Sequence, residues 1–158
     1  MVPLLSGPPR GVRYLVSIGA LRNRSTVQHK DITRVLGDAL YRQLQGVLHI
    51  TTRWAAGRPT REALAKRGVR GYLLEATVTA AGARPVGGKV RLYAQVSYTL
   101  RPMFSAGEAG RTFPGNARHP VPPTHFKQQL LGPYVVDLME VSARVARQNI
   151  ARRYLRKR

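Results

Sequence analysis

Between Lys89 and Arg101 the chain alternates without a break. Val90, Leu92, Ala94, Val96, Tyr98 and Leu100 fall at every second position, and Lys89, Arg91, Tyr93, Gln95, Ser97 and Thr99 fill the places between. Successive side chains of a strand point to opposite faces, so this segment has one dry face and one wet face. Such a strand belongs to an antiparallel hairpin packed on one side and solvated on the other. The partner is Tyr72 to Ala80. There Leu74, Ala76, Val78 and Ala80 share one face, and Leu73, Glu75, Thr77 and Thr79 the other. The turn-rich segment from Ala81 to Gly88 is expected to link the two strands, with Gly87 and Gly88 in the turn. On the dry face, Val90, Leu92, Val96 and Leu100 are expected to be buried against Leu36 and Leu40.

Those two leucines lie in a helix predicted over residues 30–45. Ile32, Val35, Leu36, Ala39, Leu40 and Leu44 recur at helical spacing. Asp31 falls in its first turn, where a negative charge suits the dipole, and Gly46 stands where a C′ glycine belongs. A strand rich in Val, Ile and Tyr precedes the helix over residues 13–20, and a short strand follows over 47–51. Thr60 can cap a short helix to about Arg67, which Gly68 can end. The Pro/Gly-rich stretch 102–123 reads as a mobile surface loop with room for one further strand between Thr112 and Val121. A last helix starts near Pro133 and runs towards Leu155, with Tyr134, Leu138, Val141 and Val145 as its core stripe. The order is β-α-β-α-β-β-(β)-α. It predicts an α+β fold with a mixed, largely antiparallel sheet and helices packed on one face. Residues 1–12 form a flexible lead-in, and residues 13–158 form one domain.

The charge balance bounds the partner. The 158 residues hold 27 Lys+Arg against 7 Asp+Glu, a net charge of +20. Arginine codon bias would account for arginine over lysine, but not for so few acids. A field of this sign favours nucleic acid, anionic headgroups or another polyanion. Two clusters stand out. One is Arg53, Arg58, Arg61, Lys66, Arg67 and Arg70 around the single tryptophan, Trp54. The other is the tail Arg144, Arg147, Arg152, Arg153, Arg156, Lys157 and Arg158, which contains no acid. Arginine beside an exposed aromatic can hold phosphate and stack on a base. The alternative is that Trp54 packs in the core and the arginines are solvated. Lys89, Arg91 and Tyr93 on the wet strand face extend such a patch.

Catalysis has little to work with. The pair Asp137 and Glu140, one helical turn apart, reads as solvated charge offsetting Arg144. His29, His49, His119 and His125 show no ligand spacing, and no cysteine occurs. Neither a nucleophile elbow nor a phosphate-loop fingerprint is present. No catalytic residue, metal or cofactor is expected, and no run is long and apolar enough for a membrane span.

The segments VRYLVSIGALRNRS, DITRVLGDALYRQLQG, VLHIT, RGYLLEATVTAAG and KVRLYAQVSYTL together resemble a bacterial envelope group. It comprises curli-secretion lipoproteins, the TolB amino-terminal domain and lipoprotein activators of penicillin-binding proteins. The chain also resembles the carboxy-terminal domain of myxobacterial HEAT-repeat proteins, where a final helix carries a Gln-Asn pair as Gln148-Asn149 does here. The resemblance covers about Arg13 to Leu155, although the HEAT repeats and a lipidation cysteine are lacking. It implies a non-enzymatic scaffold or interaction module that meets a protein or an envelope polyanion. The setting would be the periplasmic side if the sequence is a mature fragment. The alternative is a cytoplasmic nucleic-acid-binding protein using the clusters at 53–70 and 144–158.

Overall fold

The computed structural model describes residues 11–54, 58–104 and 110–156. Most of the expected lead-in, together with Glu108, Lys157 and Arg158, lies outside them. Strands β3 (Arg70–Val86) and β4 (Lys89–Pro102) form the long hairpin. Only Gly87 and Gly88 lie between them, at φ +55° and +77°. A two-residue hairpin loop with both φ values positive suits the twist of the flanking strands, and glycine reaches it without strain. Residues 81–86 are therefore strand and not a turn, which lengthens the hairpin beyond the sequence expectation.

The pairing also changes phase inside β3. Val78 stands opposite Val96, but the next pair is Ala80 with Gln95, leaving Thr79 over. One extra residue reverses the facing of everything beyond it. Ala81 is therefore buried opposite Ala94, while Ala80 sits opposite the exposed Gln95. The expectation that Ala80 shares a face with Leu74, Ala76 and Val78 is corrected by this bulge.

Strand β1 (Tyr14–Asn23) runs parallel to β3 and to the two-residue β2 (Ile50–Thr51). The far side of β4 takes two strands where the sequence left room for one. β5 (Arg111–Pro114) pairs with its carboxy-terminal half and β6 (Ala117–Val121) with its amino-terminal half. The sheet order is β2-β1-β3-β4-β5, with β6 beside β4. Pro114 and Pro120 are tolerated because these are edge strands, where a missing N–H costs no ladder bond.

Helices α1 (Ile32–Gln45) and α3 (Leu131–Asn149) cover the dry face and pack on each other, α1 over β1 and α3 over β4. Leu92, Val96 and Leu100 are buried with Leu36 and Leu40 in one core, as expected, and α3 is the helix that covers their strand. Val90 is only half-buried, near the hairpin tip. Gly46 ends α1 at φ −76°, not in the left-handed region. Its N–H and that of Val47 bond back to the carbonyls of Gln43 and Leu44, so the last turn tightens and no left-handed cap is needed.

The short α2 (Arg61–Lys66) lies against the other face. Thr60 caps it through the Ala63 N–H at 3.1 Å, and Gly68 at φ +67° leads the chain away. Leu64 meets Val12, Leu15 and Val69 there. Leu15 alternates with Val16, which belongs to the main core. Among the described residues the wet face is thus covered at one corner only.

One polar relay crosses the main core. The Tyr98 hydroxyl donates to Ser142 Oγ at 2.7 Å, and Ser142 donates on to the Gly115 carbonyl at 2.6 Å. Burial pushes the Tyr98 phenol well above the ordinary tyrosine value. The folded state therefore holds this proton when the unfolded chain has begun to lose it. Stability from this source is complete below about pH 10 and should fall as the pH rises past it. Denaturant melts at rising alkaline pH should show Tyr98→Phe losing less than the parent over that range. Equal losses would remove Tyr98 as the cause.

Candidate functional site

On the wet face the sheet is polar along its middle. Glu75 pairs with Arg101 at 2.9 Å, and Thr99 faces Thr112 across β4 and β5. Towards the hairpin tip the character changes. Beyond the bulge, β3 places Arg84 directly opposite Arg91 of β4, and Gly82 opposite Tyr93. On the other side of β4, Arg118 of β6 stands opposite Tyr93. The three arginines come from three adjacent strands and line one groove of about 510 Å³, with Tyr93, Gln95 and Asn116 also in its wall.

The Tyr93 ring lies close over Gly82, where an added Cβ would stand 3.0 Å from its hydroxyl oxygen. The Arg84 guanidinium stacks on the same ring, 4.4 Å from its centre. Like charges directly opposite each other on a sheet repel. Here no carboxylate offsets them: among the described residues the ion pairs involve Asp31, Asp38, Glu75 and Glu140, taken by His29, Arg34, Arg101 and Arg42.

The residues that stand out in the sequence lie elsewhere. Trp54 packs against the small cluster of Val12, Leu15, Leu64 and Val69, the core-packing alternative for it. Arg53 and Arg58 are exposed, and Arg61 donates to the Phe104 carbonyl. Lys66 is in the last turn of α2, Arg67 caps that helix, and Arg70 opens β3. In the tail, Arg152 and Arg153 lie in a π-helical turn, Ile150–Tyr154, that continues α3.

Arg70 of the first cluster pairs beside Tyr14 at the start of β1, where the tail also arrives. The Tyr14 hydroxyl donates to the Arg156 carbonyl at 3.0 Å, and His49 Nε2 donates to the Leu155 carbonyl at 2.7 Å. The Arg70 N–H bonds the Arg13 carbonyl, and Arg13, Tyr14, Gly68 and Arg70 line a shallow cleft of about 160 Å³. The start of β3 and the end of the tail thus share one end of the sheet. Arg144 does not belong to that end. Arg144 precedes Arg152 by about 12 Å of helix at 1.5 Å per residue, and Arg147 reaches towards Gly46. Lys157 and Arg158 lie outside the described residues.

Arg84 and Arg118 do not stand out in the sequence, because Arg84 falls in the expected turn and Arg118 in the expected loop. A signal exists for the first. Counting back from a two-residue Gly87-Gly88 turn sets Arg84 against Arg91.

A second cleft of about 500 Å³ runs between β6 and α3, lined by Leu92, His119, His125, Tyr134, Asp137 and Leu138 among others. Among the described residues no three His, Cys, Asp or Glu side chains group as metal ligands. No described helix is long and apolar enough to cross a membrane.

No protein-family model matches the sequence, and no curated protein matches it. The likeness to the carboxy-terminal domain of HEAT-repeat proteins therefore finds no support there. Solved structures do match. A neuraminyllactose-binding hemagglutinin homolog from Helicobacter pylori aligns at TM-score 0.54 and 9% identity, over 95% of this chain and 88% of its own. A protein from Xanthomonas campestris aligns at 0.50 and 12%, over 91% and 86%. A lipoprotein from Neisseria meningitidis aligns at 0.46 and 13%, over 79% and 94%. At such identities the first two support a common fold and nothing finer.

Proposed function

We propose that this chain is a non-enzymatic interaction module of the bacterial cell envelope that binds an anionic macromolecule on the wet face of its sheet. The observation that carries the reading is the groove at the hairpin tip. Three arginines from three strands crowd into it, and no described carboxylate neutralises them. A soluble surface gains nothing from such crowding, so an anionic partner is the simplest reason for it. The envelope setting rests on the sequence likeness to envelope lipoproteins and interaction domains, a group with which a non-catalytic role agrees. The test is association with a polyuronate, with duplex DNA and with anionic vesicles over a range of salt. The reading expects binding to at least one of them that survives physiological salt. Loss of all three by that point would overturn it.

A second reading, a nucleic-acid-binding protein, is favoured by the approach of Arg70 and the tail to Tyr14. Deleting residues 156–158 and changing Arg152 and Arg153 to Gln should then reduce the salt slope for duplex DNA. The reduction would be up to about one unit for each phosphate that the tail no longer neutralises. A slope unchanged within error would remove the tail from any such interface.

A further inference from the structure

Resting on the proposed anionic partner, we infer that the groove formed by Arg84, Arg91 and Arg118 is an oxyanion subsite for an acidic glycan. It would grip the carboxylates of the sugar chain with guanidinium forks and its hydroxyls with Gln95, Asn116 and Tyr93.

Three observations carry this. The first is the choice and placement of the cations. A guanidinium presents parallel N–H donors in a plane and matches a carboxylate in bidentate fashion. Arg84 lies over the Tyr93 ring, 4.4 Å from its centre, which holds that fork against the groove wall. The second is rigidity. Arg84, Arg91 and Arg118 all sit on paired strands, so the backbone that carries them needs no ordering on binding. The third separates a glycan from a nucleic acid. Single-stranded nucleic acid is held by bases stacking on free aromatic faces. Among the described residues the only aromatic in the groove wall is Tyr93, and its ring is already packed over Gly82 and covered by Arg84. What remains for a ligand is charge and neutral hydrogen-bonding groups, which suit a hydroxylated chain bearing carboxylates.

The experiment is isothermal titration of the intact chain at physiological salt with three probes of similar length. These are a short oligogalacturonate, a neutral maltooligosaccharide and an oligothymidylate. The variants are Arg84→Gln/Arg91→Gln/Arg118→Gln in the groove, Arg91→Lys alone, and Arg152→Gln/Arg153→Gln as a control at the other end of the sheet. The parent should prefer oligogalacturonate to both other probes. The groove variant should lose that affinity about tenfold or more, as expected when charge-assisted bidentate hydrogen bonds go. The control should match the parent. The thermal midpoint of the triple groove variant should equal or exceed the parent's, because the Arg84–Arg91 repulsion is gone; this separates lost binding from lost fold. Arg91→Lys keeps the charge but not the fork, and should bind less well than the parent.

Groove variants that bind oligogalacturonate like the parent would overturn the subsite and leave the wider anionic reading standing. A preference for oligothymidylate that the groove variants abolish would overturn the glycan class. Equal affinity of Arg91→Lys and parent would overturn the fork. Failure of every anionic probe to bind any form would sink the subsite together with the reading beneath it.

Discussion

Replacing Leu92 by alanine should lower the unfolding free energy by about 2–5 kcal/mol. The residue is 2% exposed. It is the fourth residue of β4, opposite Ala83 on one neighbouring strand and His119 on the other. The spread of costs for such truncations depends on how far the surroundings collapse into the void. Here collapse is limited. Hydrogen-bonded backbone flanks the site on both sides, and across β3 the partner is an alanine, too small to fill the space. The cost should therefore fall in the upper part of the range. Val90, two residues away on the same face but half-buried near the hairpin tip, should lose far less when changed to alanine. Urea melts with unchanged m-values would measure both. A Leu92→Ala midpoint indistinguishable from the parent would show that α3 does not seal this face.

Gly115→Ala should be nearly as damaging, for the opposite reason. A Cβ built on Gly115 would stand 2.3 Å from Tyr98 Cε2, 3.0 Å from Cδ2 and 3.2 Å from Ser142 Oγ. Overpacking of this kind costs about 1–3 kcal/mol where neighbours can shift. Tyr98 has little room to shift. It is fully buried, stacked on Phe113 with ring centres 5.4 Å apart, and tied by its hydroxyl to Ser142. Moving it would break the relay to the Gly115 carbonyl and leave buried polar atoms unpaired, at a further cost of about 1–3 kcal/mol. A double-mutant cycle isolates the clash. In a Tyr98→Leu background the ring is gone, so adding Gly115→Ala should cost much less than it does in the parent. Equal costs in the two backgrounds would mean that the damage comes from the backbone at Gly115 and not from the ring.

How much of the fold is legible in the sequence varies with the size of the side chains. The alternation over Val90 to Leu100 tells inside from outside because every inward residue is apolar and nearly every outward one is polar. The same logic fails across Ala80 to Ala83 of β3. Alanine suits either face, so nothing in that stretch marks the change of phase at Thr79. Helix α1 is legible from its stripe, but its final glycine is not, since glycine at a helix end adopts either hand. The two short strands at 111–121 are hidden by Pro114 and Pro120, residues that argue against a strand unless its outer edge is free, which only the assembled sheet reveals. The candidate groove inherits each of these gaps. Arg91 and Tyr93 are visible as wet-face residues, but Arg84 reaches them through the unmarked bulge and Arg118 through a proline-bearing strand. Trp54 draws attention by its chemistry, and the apolar corner under α2 claims it.

The closure of the corner at Tyr14 bears on how such a chain matures during synthesis. Tyr14 and His49 come early, yet their partners are the carbonyls of Arg156 and Leu155, and the Leu155 side chain is itself buried. Strand β1 also waits for β3 before its main ladder can form. A nascent chain therefore carries an unsealed apolar face until residue 155 has cleared the ribosome. Long-range pairing of this kind is slow and leaves apolar surface exposed meanwhile. Release of the last turn, not appearance of the first strand, sets the moment at which the sheet becomes safe from aggregation, and a translational pause before Leu155 would prolong the hazard.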